Sequence, residues 1–253
     1  PLGDSRRHWR HSLHRFPGLG TLVVEEQITM PISIAIDGPA AAGKSTVAKR
    51  VAKALRFVYV DTGAMYRAFT WYVLQKGLDP KNEEESCSLI PDVQIKMDPQ
   101  GGVFICGQDC TRAIREPLVS GNVSYIASYK PIRLALIELQ RELAKEDNVV
   151  MDGRDIGSYV LPNAQVKIFQ IASVECRAER RYKENVEKGI PTSLEDVVEE
   201  VQKRDYIDSH RDFDPLMQAE DAIPLDTSEM GIEEVVDAIL AIVKEKTGIE
   251  TCH

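Results

Sequence analysis

The segment Gly38-Pro39-Ala40-Ala41-Ala42-Gly43-Lys44-Ser45 constrains this chain more than any other, because it matches the pattern G-x-x-x-x-G-K-[ST]. Its glycines let the backbone curl so that successive N–H groups face one anion. A helix opening near Ser45 would add its positive N-terminal end. Lys44 then reaches the β- and γ-phosphates of a nucleotide, and the Ser45 hydroxyl is the expected ligand of Mg²⁺. The β-branched run Ile32–Asp37 immediately before the loop reads as a strand. Val47, Val51, Ala54 and Leu55 after it recur at helical spacing. A strand, a glycine-rich turn and a helix in that order are what a nucleotide-phosphate loop requires.

Beyond the loop, short apolar runs alternate with helix-period segments, the pattern of a mostly parallel sheet with crossover helices. Phe57–Val60, Val149–Met151, Val166–Ile171 and Ala222–Leu225 read as further strands. Helices fit Ala64–Gln75, Ile132–Ala144, Val174–Glu187, Leu194–Ser209 and Ile232–Lys246. The fold expected is α/β, a doubly wound parallel sheet of five strands. One stretch, about 79–116, departs from the alternation. There Val93, Ile95 and Met97 alternate with polar residues, Asp98-Pro99-Gln100-Gly101-Gly102 makes a turn, and Val103 and Ile105 resume. This predicts an inserted β-hairpin, followed by a polar connection at Arg112–Glu116.

The net charge of −9 speaks against a nucleic-acid polymer or an anionic membrane surface as partner, so phosphate must be met by locally placed arginines and lysines. The five cysteines, Cys87, Cys106, Cys110, Cys176 and Cys252, form no CxxC pair and read as free thiols in a reducing cytoplasm. Residues 1–29 are of another kind. Arg6, Arg7, Arg10, Arg15, His8, His11 and His14 stand there with Asp4 the lone acid of the first twenty. That composition permits a mitochondrial presequence, while Pro1-Leu2-Gly3 resembles a tag-cleavage scar. Val24-Glu25-Glu26-Gln27 can be encoded as a purine-rich ribosome-binding site ahead of Met30, which points to Met30 as the natural start.

The loop alone leaves GTPases, motor ATPases and small-molecule kinases open. The Asn-Lys-x-Asp base-reading motif of GTPases does not occur in the sequence. Asp61-Thr62-Gly63-Ala64-Met65-Tyr66-Arg67, at the end of the second strand, resembles the acceptor-phosphate motif of nucleoside monophosphate kinases. Met151-Asp152-Gly153-Arg154-Asp155-Ile156-Gly157 and Arg204-Asp205-Tyr206-Ile207-Asp208-Ser209-His210-Arg211 resemble bacterial cytidylate kinases in particular. The resemblance runs from Met30 to about Lys246. It implies a P-loop kinase domain over 30–248, a monophosphate-binding region over 62–128 that holds the insertion, a helical lid over 173–192, and a tail at 249–253.

The same resemblance implies an ATP site at Gly38, Ala40, Ala41, Ala42, Gly43, Lys44, Ser45 and Thr46. Arg67, Arg154 and Arg211 would grip an acceptor phosphate, a task that suits the paired donors of a guanidinium fork. Ser124, Arg133 and Asp155 would read cytosine, and Arg204 and Asp208 the sugar. Thr62 stands where many relatives carry serine. The reaction implied is transfer of the ATP γ-phosphoryl to CMP or dCMP with Mg²⁺, by a monomer, with Lys44, Arg154, Arg177 and Arg181 as the catalytic groups. Plainer readings remain for several of these residues. Arg204, Asp208 and Arg211 also fit a salt-bridge ladder along one helix, Asp152 and Asp155 fit strand-end turns, and the helix carrying Arg177, Arg180 and Arg181 fits a solvated charged face. Another P-loop acceptor kinase, of UMP/CMP, adenylate or shikimate type, and a non-catalytic nucleotide-binding module are the competing functions.

Overall fold

Residues 31–98 and 100–250 are described by the structure, a computed structural model. The leader 1–29, Pro99 of the hairpin turn, and Cys252 with the end of the tail lie outside the described residues. The first strand, β1 (Ser33–Asp37), is buried at every position and forms the middle of a five-stranded parallel sheet. Its neighbours are β6 (Val149–Gly153) and β7 (Val166–Ile171). The edges are β2 (Val58–Asp61), beside β6, and β8 (Ile223–Asp226), beside β7. The inner strands are largely apolar because both of their faces are covered, although β7 buries Lys167 and Gln170.

Helix α1 (Lys44–Leu55) and helix α8 (Ile232–Thr247) cover one face, packing Val47, Val51, Val235, Ile239 and Val243 onto Ile34, Ile36, Val150 and Ile168. The other face packs Ala35, Val60 and Met151 against Ile137 of α5 (Lys130–Glu146) and against a π-helical turn over Ile156–Val160. Helix α2 (Thr62–Gln75) starts directly from β2, capped by Asp61, whose Oδ1 accepts the Ala64 N–H at 2.7 Å. Helix α6 (Val174–Glu187) and helix α7 (Leu194–His210) pack through Ala178, Val197 and Val201. Ser193 and Asp196 close a capping box at the start of α7.

The insertion is larger than a hairpin. After the short helix α3 (Glu83–Cys87), β3 (Ile95–Met97), β4 (Val103–Ile105) and β5 (Gln108–Asp109) make a three-stranded antiparallel sheet. Cys106 and Gly107 join β4 to β5 with positive φ at both positions, the geometry of a two-residue turn that follows sheet twist. The stretch Arg112–Glu116 is not simply a polar connection. It contains a 3-10 turn, Ala113–Arg115, whose Ile114 is fully buried against α2 and the small sheet. A further helix, α4 (Pro117–Ile126), follows and rests on α2 through Val123 and Ile126. Cys87, Cys106, Cys110 and Cys176 are free thiols. Among the described residues, no helix is long and apolar enough to cross a membrane.

Candidate active site

Parallel strands leave their C-terminal ends on one side, where an open α/β sheet binds ligands. A cavity of about 680 Å³ opens there. On one side it is lined by residues 41–47 of the loop, together with Gln170, Thr227, Met230 and Ile232. The loop can sit so deep because of Gly38, whose φ is +148°. A Cβ there would lie 2.1 Å from the Gln170 carbonyl oxygen. Gly38 and Ala40 shape the loop without lining the cavity, while Ala41, Ala42, Gly43, Lys44, Ser45 and Thr46 do line it. The Lys44 ammonium is buried and donates to the Pro39 carbonyl at 2.6 Å. Burial, with Arg154 beside it, holds its pKa well below the usual lysine value.

The tip of β6 meets the loop. Ser45 Oγ donates to Asp152 Oδ2 at 2.7 Å, and the Tyr59 hydroxyl donates to Asp152 Oδ1 at 2.8 Å. Thr62 Oγ1 donates to the Asp152 carbonyl at 2.6 Å. Burial and the nearby charge of Asp61 push the Asp152 carboxyl up, a penalty that a bound cation would relieve. A hydroxyl and a carboxylate converging beside a phosphate loop are hard oxygen donors. They suit a divalent ion that takes its remaining ligands from phosphates and water.

Opposite the loop stands a group of arginines. Arg67 Nη2 lies 3.2 and 3.1 Å from the two oxygens of Asp61, and Arg115 Nη2 lies 3.0 Å from Asp61 Oδ2. Burial opposes ionisation of Asp61, but Arg67, Arg115 and the Ala64 N–H outweigh it and hold the carboxyl below its ordinary range. Arg154 donates through Nε to Asp208 Oδ2 at 2.9 Å. Asp208 is thus held low by Arg154, Arg204 and Arg211 against its burial. The partner of Asp208 comes from another element, and Arg211 lies just past the end of α7. The i, i+4, i+7 spacing therefore reflects a shared destination and not a ladder along one helix. Arg204 is brought down to about 10 by burial among other cations. Among the described residues, Arg67 Nε, Arg204 Nε and Arg211 Nη2 are buried donors without a hydrogen-bond partner, an arrangement suited to an anion.

At the far end Asp155 is buried between two cations. Arg133 Nη2 bonds its Oδ2, and Arg211 Nη2 stands 3.6 Å from its Oδ1. Arg133 is fully buried, donates to the Ala127 carbonyl at 3.0 Å, and lies 5.6 Å above the Tyr66 ring. Ser124, from α4, lines the same end.

The three arginines of α6 divide. Arg180 and Arg181 line the cavity, Arg180 donating to the Thr227 carbonyl at 2.6 Å and Arg181 pairing with Glu184 at 3.2 Å. Arg177 does not line it. Its Nε donates to the Ala172 carbonyl at 2.9 Å, one Nη to the Ala40 carbonyl at 3.0 Å, and the other pairs with Asp205 at 2.6 Å. In this arrangement Arg177 braces the loop against α7.

All the other residues singled out from the sequence for acceptor binding line one cavity: Thr62, Arg67, Ser124, Arg133, Arg154, Asp155, Arg204, Asp208 and Arg211. Arg115 and the Ser45–Asp152 contact are not signalled in the sequence, where Arg180 stands out only as one of three arginines on a helix and Asp61 only as the first residue of the Asp61–Arg67 motif. Asp61 carried a usable signal, as a strand-end acid that caps the next helix. Arg115 is found only once Ile114 is known to be buried.

Comparison with known proteins decides the family. The model of the cytidylate kinase family matches residues 34–245. The chain belongs to the cytidylate kinase family. A cytidylate kinase of Anoxybacillus flavithermus (strain DSM 21510 / WK1) is 55% identical over 218 residues, covering 85% of this chain and 97% of that protein. One of Bacillus cytotoxicus is 53% identical over 218 residues, covering 85% and 96%. Among solved structures, a gluconokinase from Sinorhizobium meliloti 1021 overlays with a TM-score of 0.47 at 13% identity, covering 87% of this chain and 95% of that one. That likeness is too slight to add to the fold described above.

Proposed function

We infer that this chain transfers the γ-phosphoryl group of ATP to CMP and dCMP, yielding CDP and dCDP. The observation that carries this reading is one cavity, in a cytidylate kinase family member, that joins a phosphate loop to a wall of arginines ending at a buried carboxylate.

The loop N–H groups and Lys44 bind the donor phosphates. Arg67, Arg154 and Arg211 take the acceptor phosphate, with Arg115 beside them, and Arg204 and Asp208 take the sugar. Asp155 accepts from the N4 amino group of cytosine, held in place by Arg133 and accompanied by Ser124. Uracil offers an acceptor oxygen at that point, which would leave the carboxylate unpaired. The attacking oxygen belongs to an already ionised phosphate, so the reaction needs no general base. What the protein contributes is alignment and neutralisation of the charge spread over the transferring group, through Lys44, Arg154 and Arg181. Arg177 serves by holding the loop carbonyl at Ala40. Ser45 and Asp152 would hold the divalent ion, which we take to be Mg²⁺, and it would neutralise phosphate charge. Free thiols suit a reducing compartment, and we place the enzyme in the cytoplasm.

The test is incubation with γ-labelled ATP and CMP, followed by separation of the products. Label in CDP upholds the reading, and label in inorganic phosphate alone overturns it.

A further inference from the structure

Asp37 has no part in the chemistry above, yet it lies between the two halves of the site. It ends β1 one residue before the phosphate loop, and its side chain is buried. Its Oδ1 accepts the Ile156 N–H at 2.9 Å and its Oδ2 accepts the Gly157 N–H at 2.7 Å. Those two donors immediately follow Asp155. They open the π-helical turn Ile156–Val160, whose later N–H groups bond back to the Asp155 and Ile156 carbonyls. The first N–H groups of such a turn have no carbonyl behind them, and in a buried place they require another acceptor. Gly157 also stands close to the Lys167 side chain. A Cβ there would lie 3.1 Å from the Lys167 side chain and 3.4 Å from Asp37 Oδ2.

Burial raises the Asp37 carboxyl to about 7, with the charge of Asp155 adding to it, while the two N–H bonds and Lys44 pull the other way. Keeping a carboxyl here is therefore costly for the fold, although an apolar residue would leave two N–H groups unpaired. The β1–β6 register sets Asp37 opposite Gly153, so its reach spans the whole Gly153–Gly157 segment that carries Arg154 and Asp155.

We propose that Asp37 is a positioning residue for acceptor selection: by tying the Ile156 and Gly157 N–H groups to the root of the phosphate loop, it sets where Asp155 presents its carboxylate to the acceptor base. The proposal rests on the reading of Asp155 as the cytosine-facing group. A mere brace for the loop would affect ATP and CMP alike. A positioning residue for Asp155 alters the acceptor base preference while donor binding stands.

The experiment compares the wild-type chain with Asp37→Asn and Asp37→Ala. Steady-state kinetics on CMP and UMP at saturating ATP are combined with calorimetric binding of ADP. Wild-type turnover of CMP is read first, so that failure of the activity is told apart from failure of this inference. Asparagine keeps the shape but presents a single acceptor oxygen. We expect KM for CMP to rise by about tenfold or more, the CMP-over-UMP preference to fall with it, and ADP affinity to hold. Alanine should exaggerate each change, with asparagine retaining part of the preference. Should the alanine variant fail to fold, the asparagine variant decides. An unchanged CMP-over-UMP preference, or parallel losses of CMP and ADP affinity, would overturn the proposal.

Discussion

Ser45 Oγ donates to Asp152 Oδ2 at 2.7 Å, so the last residue of the phosphate loop is bonded to the penultimate residue of β6. The loop belongs to β1 and α1, the carboxylate to a neighbouring strand more than a hundred positions later. Parallel pairing of Ile36 with Asp152 brings them together. This contact places a hydroxyl and a carboxylate at the phosphate loop, within the same cavity as Arg67, Arg154 and Arg211.

Replacing Asp152 with asparagine removes the charge but keeps the shape. The Mg²⁺ concentration for half-maximal rate should rise by about 10- to 100-fold, as for the loss of a group that orients a metal ligand. Titrating activity against free Mg²⁺ checks this, and chelation should abolish turnover in wild type and variant alike. An unchanged Mg²⁺ requirement would remove Asp152 from the metal site.

Arg154 bonds Asp208 through Nε, donates through Nη1 to the Gly153 carbonyl at 3.2 Å, and lines the cavity. Arg154→Leu should lower kcat by on the order of 10³, with ADP affinity retained. Arg154→Lys should recover only part of it, because an ammonium lacks the paired planar donors. Single-turnover kinetics separate the chemical step from binding.

Asp155 sits between Arg133 and Arg211. Asp155→Ala leaves both cations less compensated in a buried place, so acceptor binding should weaken overall. CMP should lose more than UMP, the ratio of their kcat/KM values falling by about tenfold or more. Equal losses for the two pyrimidines would deny it the base-reading role.

Asp37 gives a pH signature in stability. Its carboxyl titrates near 7 when folded, against an ordinary value of 3.8. Between those values the folded chain keeps a proton that the unfolded chain has released, so raising the pH disfavours the folded state. Relative to Asp37→Asn, wild-type stability should therefore decline from about pH 4 to about pH 7 and level off above. Urea denaturation of both proteins across that range measures it, and a constant difference would contradict the assignment.

Much of this architecture was legible in the sequence, because the inner strands are largely apolar runs and the phosphate loop has a fixed spacing. Val166–Ile171 and Val174–Glu187 have the boundaries that their patterns suggest. The insertion was less legible. Strand β5 has two residues, too few for any alternation, and Cys106-Gly107 is not the usual pair for its turn. In α4, Val119, Val123 and Ile126 do follow helical spacing, but Ser120, Gly121 and Asn122 are weak helix formers, and the helix rests on packing against α2. For the site, residue types were readable and partners were not. Nothing in the order of residues links Arg115 to Asp61 or Arg177 to Ala40, since those contacts exist only after the sheet and α6 have assembled.

Selection of a cytidine monophosphate by the arginine wall and Asp155 is what the proposed function stands or falls on. The most direct measurement is ADP release from ATP with CMP, dCMP, UMP, AMP and GMP compared at equal concentration. The fastest turnover is expected with CMP and dCMP, weaker turnover with UMP, and little with either purine. A purine or UMP outpacing CMP, or ADP release that no monophosphate stimulates, would contradict it.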